Sequence, residues 1–326
     1  MVSPLWTPLH TRLHQTLRQR PVLPPQQKIL VAVSGGQDSL CLLQLLWDLG
    51  RKWHWELRVA HCDHGWPEDQ GLADHVRDWV SQYPLPLFCS GAVALPQTEA
   101  AARAWRYQVL LEIARGEGCP VIVTGHTQSD RAETLLYHLI RGTGTTGLTA
   151  LPWQRSLSPE VQLVRPLLNM SRAETGQFCQ DHHLPVWSDP YNQNLQYARN
   201  RLRQEIIPAL QTHFNPQVET ALAQTAEILQ GDLDYLEQLT TEACKTAFDD
   251  QLPRFNRLPL QTLPLALKRR VVRRFLQQYL PHHPNFEQIE AVTQLIQAPN
   301  RSRTSTLTGG MWAEVDQTYV QLTAPS

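Results

Sequence analysis

Through its first two hundred residues the chain alternates short apolar runs with longer stretches of helical periodicity. Buried strands are predicted over 28–33 (KILVAV), 55–61 (WELRVAH), 85–93 (LPLFCSGAV) and 119–126 (CPVIVTGH). Each leads into apolar positions spaced three and four apart, which predicts helices over 38–49, 72–82, 98–115 and 131–140. Strands this short and apolar, separated by helices, predict an α/β fold: a parallel sheet with helices on both faces. Ligands of such sheets sit outside the carboxyl ends of the strands, so functional residues are expected just after Val33, Ala60, Val93 and Thr124. Near Phe214–Pro216 the pattern changes to helices alone, over 217–247, 258–280 and 284–297. The closing RTSTLTGGMWAEVDQTYVQL (303–322) reads as short strands joined at Gly309-Gly310. The expected organisation is an α/β domain over 1–215 and a smaller, mostly helical domain over 216–326.

The first strand–helix junction, Ile29 to Leu43 (ILVAVSGGQDSLCLL), concentrates the candidate chemistry. Gly35 and Gly36 permit backbone angles closed to other residues, so amide groups can point into one concavity. Ser34 and Ser39 add hydroxyls, and the helix adds the positive end of its dipole. Asp38 is the odd member, because a carboxylate beside phosphates repels them unless a divalent cation lies between. Mg²⁺, held by Asp38 through phosphates, is therefore expected. The alternative is an ordinary glycine turn. The stretch is neither GxxxxGK[ST] nor GxGxxG.

Further segments each carry two readings. In AHCDHGWPEDQ (60–70), His61, Asp63 and His64 match no zinc spacing; they shape a nucleotide pocket or are loop-surface side chains. In TEAAARAWRYQVLLEIA (98–114), Arg103 and Arg106 are one turn apart and are either solvated or able to grip phosphate. In VIVTGHTQSDRAETLLYHLIRGTG (121–144), His126 ends a strand while Asp130 and Glu133 share a helix face. That pair is close to a capping box, and equally suited to receive an ammonium group. YARNRLRQ sets Arg199, Arg201 and Arg203 near Tyr197. KRRVVRRF sets Lys268, Arg269, Arg270, Arg273 and Arg274 on one helix, where 269/273 and 270/274 would form a basic stripe for a phosphate backbone or a solvated face.

In order and spacing, SGGQDS, AHCDHG, ARAWRY (102–107), GHTQSDRAETLLYHLIRGTG, RPLL (165–168), WSDPYN (187–192) and YARNRLRQEIIPAL (197–210) resemble the tRNA(Ile)-lysidine synthetases, a branch of the PP-loop ATP pyrophosphatases. The match covers roughly residues 28–215, and the remainder looks like the single extra domain of the shorter members. The resemblance implies a ligase that adenylates C2 of the wobble cytidine in a CAU anticodon and displaces AMP with the ε-amine of lysine. It implies ATP and Mg²⁺, tRNA(Ile) and free lysine. ATP would be held by Ser34, Gly35, Gly36, Gln37, Asp38 and Ser39 with His61 and Arg103. Catalysis would fall to Asp38, Arg106, His126, Asp130 and Glu133, lysine binding to Asp130 and Glu133. Arg199, Arg201, Arg203, Arg269, Arg270 and Arg273 would hold the tRNA. The chain departs from the family pattern at Thr127 and Ser129, which stand where a second histidine and aspartate are common, and at Gly65-Trp66-Pro67. The rivals are a tRNA thiolation enzyme, a small-molecule AMP-transfer ligase and a non-enzymatic tRNA-binding protein. The first would need sulfur-handling cysteines and the second a glutaminase domain.

Composition narrows this only slightly. At 326 residues, net charge −1 and pI near 6.9, the chain has room for two domains, and a near-neutral total does not exclude a local basic face. Six scattered cysteines without a CxxC argue for a reducing compartment, and a cytoplasmic location is expected. The acid-free stretch before Asp38, with Arg12, Arg18 and Arg20, has a second reading as an organellar transit peptide; Leu5–Leu17 reads as a short helix instead. The oligomeric state is open, a homodimer included.

Overall fold

The computed structural model of the protein describes residues 6–93, 95–188, 194–249 and 251–324, save the Glu68 side chain. The chain divides into two compact units, Met1–Gln230 and Gly231–Ser326. In the first, α1 (Pro8–Gln19) precedes β1 (Lys28–Ala32), α2 (Gln37–Trp53), β2 (Glu56–Asp63), α3 (Leu72–Val80), β3 (Leu87–Gly91), α4 (Glu99–Gly116), β4 (Val121–Thr124) and α5 (Gln128–Arg141). The predicted alternation is thus present, its strands trimmed where backbone leaves the sheet to build the cleft. Then come the short α6 (Thr145–Leu148), the hairpin of β5 (Gln154–Ser156) and β6 (Gln162–Val164), and α7 (Arg172–Asp181). α8 (Ala198–Arg201), a π turn at Leu202–Ile206 and α9 (Ile207–His213) lead to the long α10 (Val218–Ala247). Asp189 to Asn192 of the WSDPYN segment lie outside the described residues.

The sheet runs β3-β2-β1-β4-β6-β5, parallel except for β5. Its strands are apolar on both sides because both sides are covered. Ile29, Val31, Val59 and Val123 pack with α1, α2, α3 and α7, whereas Leu30, Ala60, Ile122 and Leu163 pack with Leu110 and Ala114 of α4. Leu13 and Leu17 of α1 are fully buried in the first of these layers. The short helix read over Leu5–Leu17 is thus present as α1 and packs on the sheet. Because β1 lies between β2 and β4, the connections leaving β1 and β4 diverge and open a crevice between their carboxyl ends.

The expected boundary at 215/216 falls before α10, but the compact units divide fifteen residues later, between Gln230 and Gly231. The reason is electrostatic. The first turns of α10 are tied to the sheet unit: Glu219 accepts from Ser129 at 2.7 Å, and Glu227 accepts from buried Arg131 at 2.5 Å and from Trp153 at 2.8 Å. In the second unit α10 is followed by β7 (Arg254–Asn256), α11 (Leu258–Gln261), α12 (Leu265–Tyr279), α13 (Phe286–Leu295), β8 (Trp312–Asp316) and β9 (Tyr319–Thr323). Phe255, Val271, Phe275, Val292 and Val320 centre its core, under an antiparallel sheet β7-β9-β8. Gly309-Gly310 lies in the turn expected, a short 3-10 turn that folds the segment around Arg303 antiparallel onto β8, with the Thr304 amide donating to the Ala313 carbonyl at 2.8 Å; a second turn, with Gln317 at φ 50°, joins β8 to β9.

One contact sets the geometry of the crevice. A Cβ added to Gly125, just past β4, would stand 2.7 Å from the Asp38 carbonyl oxygen and 2.9 Å from the Ser39 nitrogen. No flexible side chain is there to yield. Gly125→Ala is expected to destabilise the fold by about 1–3 kcal/mol through backbone displacement, read from urea unfolding. Affinity for the ATP that the sequence leads one to expect at the glycine turn should fall with it, since the displaced backbone is that of the turn.

Candidate active site

The turn after β1 is held from within. The Ser39 hydroxyl donates to the Gly36 carbonyl at 2.8 Å and accepts from the Ser34 amide at 3.1 Å. Gly35 takes φ +84°, a left-handed conformation, and a Cβ there would lie 2.6 Å from a Leu72 methyl. Gly36 differs from expectation: as the N-cap of α2 it sits at φ −75°, open to any residue. The amides of Gln37 and Asp38, at the start of α2, have no helical acceptor and form the positive end of its dipole, as an anion site requires.

Around this turn lies a cleft of about 360 Å³ lined by Ser34, Gly36, Gln37, Asp38 and Ser39 from the turn, His61 from β2, Arg106 from α4, and His126 and Asp130 from the β4–α5 junction. His61 is buried, its Nδ1 donating to the Val33 carbonyl at 2.8 Å. The Gln37 side chain lines the cleft but is spent on α7, donating to the Arg172 carbonyl at 2.6 Å and the Thr175 hydroxyl at 3.1 Å. Asp38 is bonded by the Arg172 guanidinium at 3.1 Å and by the Thr175 hydroxyl. Burial pushes its carboxyl up to about 6 in spite of Arg172.

A second compartment, also about 360 Å³, adjoins the first and shares His64, Trp66, Arg106, His126 and Asp130 with it. His64 and Trp66 stack at 4.9 Å in its wall. Arg103, Glu133, Tyr197, Arg199, Asn200 and Arg203 complete it. Arg103, expected at the nucleotide, lines this compartment and not the first. His126 is neutral here: desolvation drives its imidazole down to about 3, against the pull of Asp130. Asp130 and Glu133 do not form the capping box that their spacing suggests; the box lies three residues earlier. Thr127 is the N-cap and Asp130 its N3 partner, Asp130 Oδ2 accepting from the Thr127 amide at 2.8 Å and hydroxyl at 2.9 Å.

Glu133 is not an empty receptor. Arg203 donates to it through Nε at 2.6 Å and Nη2 at 2.8 Å, and lies 3.5 Å from Asp130. An arginine expected on the tRNA thus occupies the carboxylate expected on lysine. It is carried on the π turn at Leu202–Ile206, a local register change of the kind often found at functional sites. Arg199 pairs with Glu99 at 2.8 Å, while Arg201 is exposed.

The basic stripe on α12 is likewise partnered within its own unit. Arg269 is bidentate on Glu290 at 2.5 and 2.8 Å, and Arg270, Arg273 and Arg274 surround Glu237 at 2.8, 3.7 and 2.6 Å. The stripe is therefore a net charge of about two on one side of the helix rather than an open row.

Residues 6–210 match the PP-loop domain family and residues 255–314 the TilS substrate binding domain. A tRNA(Ile)-lysidine synthase of Synechocystis is 54% identical over 93% of this chain and 94% of its own length. This chain belongs to the tRNA(Ile)-lysidine synthase family. A Nostoc member is 51% identical over 98% of this chain and 97% of its own, and a chloroplastic one of Zygnema circumcarinatum 33% over 86% and 78%. Among solved structures, a U34-tRNA thiolase of Methanococcus maripaludis superposes with a TM-score of 0.58 at 18% identity, over 68% of this chain and 77% of that one, a likeness of fold.

Against that family background, Arg172 and Thr175 on Asp38 are the contacts sequence reading missed. Ser171-x-x-Glu174 is a capping box, made in the structure by Glu174 bonding the Ser171 amide at 2.8 Å, and this pattern marks the start of α7. Nothing local in the sequence says that α7 packs on α2.

Asp38 makes stability depend on pH in a defined direction. Its folded value near 6 exceeds the ordinary 3.8, so its contribution is fully present below about pH 4 and is lost as pH rises through 6. Asp38→Asn should abolish turnover. Without ligands it should be more stable than the parent at pH 8 by on the order of 2–3 kcal/mol, the gap closing by pH 4, as urea titrations at both pH values will show.

Proposed function

We propose that the protein ligates lysine to C2 of the wobble cytidine of tRNA(Ile) carrying a CAU anticodon, through an adenylated cytidine, releasing pyrophosphate and AMP. The observation that carries this is the pair of adjoining compartments meeting at Arg106, His126 and Asp130. One has the turn and helix start that suit a triphosphate; the other has carboxylates that suit an amine.

Cytosine C2 is a poor electrophile and its oxygen a poor leaving group. Attack of that oxygen on the α-phosphate makes it part of AMP, which departs when the amine attacks C2. Ser34, Ser39 and the α2 amides orient the phosphates, and Arg106 faces the charge that grows on the departing pyrophosphate. Mg²⁺ fits this arrangement: Asp38 is a nearly buried carboxylate whose charge Arg172 only partly offsets, beside a phosphate site. The ion would supply further neutralisation of the pyrophosphate.

The amine must reach C2 uncharged, although lysine's ordinary value is about 10.4. Asp130 opens to both compartments and serves as its first receptor. Glu133 joins once Arg203 is drawn from it, and an RNA phosphate is the natural competitor for that guanidinium. The reading also fits the reducing, ATP-rich cytoplasm.

The direct test is mass spectrometry of the anticodon nucleoside after incubation with tRNA(Ile), ATP and lysine; lysidine should appear, and unmodified cytidine would refute the ligase. Asp130→Asn and Glu133→Gln should each raise the lysine KM about tenfold or more with less than about twofold change for ATP, as expected for charge-assisted hydrogen bonds. Loss of thermal stability alone would reduce both residues to structural partners.

On the second unit, the pairing pattern separates the arginines. Arg269→Gln should leave the salt dependence of tRNA binding almost unchanged because Glu290 already neutralises it. Arg273→Gln or Arg274→Gln should reduce the slope by about one, one phosphate contact being lost.

A further inference from the structure

On the sheet face covered by α4, several arginines converge on one phenol. The guanidiniums of Arg155, Arg103 and Arg106 stand 4.6, 5.2 and 5.7 Å from the centre of the Tyr107 ring. Arg165, 1% exposed at the end of β6, adds a fourth charge beside them. Like charges gathered around one ring repel, and burial makes the repulsion worse.

Ordinary side-chain compensation is missing. The carboxylates of the adjoining compartment are committed elsewhere, Glu99 to Arg199 and Glu133 to Arg203. Among the described residues none of the four arginines has a carboxylate partner. Arg165 spends Nη1 on the Pro152 carbonyl at 2.7 Å, yet the Nε groups of Arg155 and Arg165 are buried without a hydrogen-bond partner, and the buried Tyr107 hydroxyl has only the Arg165 guanidinium beside it. A buried donor left unsatisfied costs about 1–3 kcal/mol. The field is strong enough to be felt by the phenol: burial pushes Tyr107 up, but the surrounding guanidiniums bring it below its ordinary value.

We propose that Arg103, Arg106, Arg155 and Arg165, with the Tyr107 hydroxyl, form a binding site for a phosphate group behind the wall that Arg103 and Arg106 present to the second compartment. The chemistry selects a compact anion with several acceptor oxygens, able to take planar N–H pairs from more than one guanidinium. Two phosphates of the ligase reaction have that chemistry: the RNA phosphodiester beside the modified cytidine, and pyrophosphate after its release. The existence of the site rests on the geometry; only the origin of its phosphate rests on the ligase reading.

The test uses the full-length protein with Arg155→Gln, Tyr107→Phe and, as a charge-retaining control, Arg155→Lys. Three quantities are measured: affinity for an unmodified tRNA(Ile) transcript over a salt series, the inhibition constant of pyrophosphate, and affinity for a non-hydrolysable ATP analogue. Arg155→Gln should weaken either the transcript or pyrophosphate by about tenfold, with partial recovery in Arg155→Lys and less than about twofold change for the ATP analogue. If the transcript is the ligand, the salt slope should fall by about one as well. Weakened pyrophosphate with unchanged transcript binding identifies the product instead. Unaltered binding of both ligands in Arg155→Gln and Tyr107→Phe would overturn the site and leave a cationic stack that only packs. Wild-type protein that binds phosphate in this way but makes no lysidine would refute the ligase reading and leave the site standing.

Discussion

Backbone meets backbone where Gly125 closes on Asp38 and Ser39, and the active-site geometry depends on that approach. Two strand ends, β1 and β4, are neighbours in the sheet, and each turns directly into a helix. With no Cβ between them, the starts of α2 and α5 come together, and their dipoles reinforce one another over the same small volume. Asp38 is then forced against that volume with nowhere to go but α7. Arg172 and Thr175 meet it there. The raised proton affinity of Asp38 follows from this confinement and not from an unusual partner.

Charge is distributed unevenly around the cleft, and the unevenness separates structure from binding. Glu133 with Arg203 and Glu290 with Arg269 are bidentate pairs, and Glu227 is shared by Arg131, Arg20 and Trp153, each within its own unit. Buried or half-buried pairs of this kind hold elements in register, as Glu227 does for the first turns of α10. The arginines around Tyr107 are the opposite case. Among the described residues they have the Tyr107 ring but no carboxylate, and the proposed phosphate would be their counter-charge.

Much of the fold was legible in the sequence because period and punctuation agreed. Apolar runs of four to six residues in β1 and β4, each ended by glycine, could only be buried parallel strands once the intervening helices were recognised. The SGGQDS turn and the His126–Glu133 segment were legible for the same reason, the chemistry lying at predictable strand ends. What escaped was pairing. A sequence displays Arg203 and Glu133, or Arg269 and Glu290, as separate charges, and no local pattern says that each pair is mutually neutralised across 70 or 21 positions. Gly36 shows the reverse error: its residue type promised a special angle, but its place at a helix N-cap needed none.

The proton on lysine is where these points meet. His126 stands at the junction of both compartments, yet an imidazole held near 3 by desolvation binds a proton too weakly to take one from an ammonium. As a neutral ring bonded to the Thr124 hydroxyl at 2.9 Å, it is better suited to orient a reacting group by hydrogen bonding. Asp130 has the contrary problem, since its Oδ2 is already spent on Thr127. That commitment leaves Oδ1 directed toward Arg203, a cation placed where the lysine amine is proposed to bind. Drawing Arg203 away would expose Oδ1 and Glu133 together, at the moment a phosphate-bearing substrate arrives. On the lysine-binding role proposed for Asp130 and Glu133, the acceptor for the amine would open only when the RNA draws Arg203 away, which ties amine binding to occupancy of the site by the cytidine.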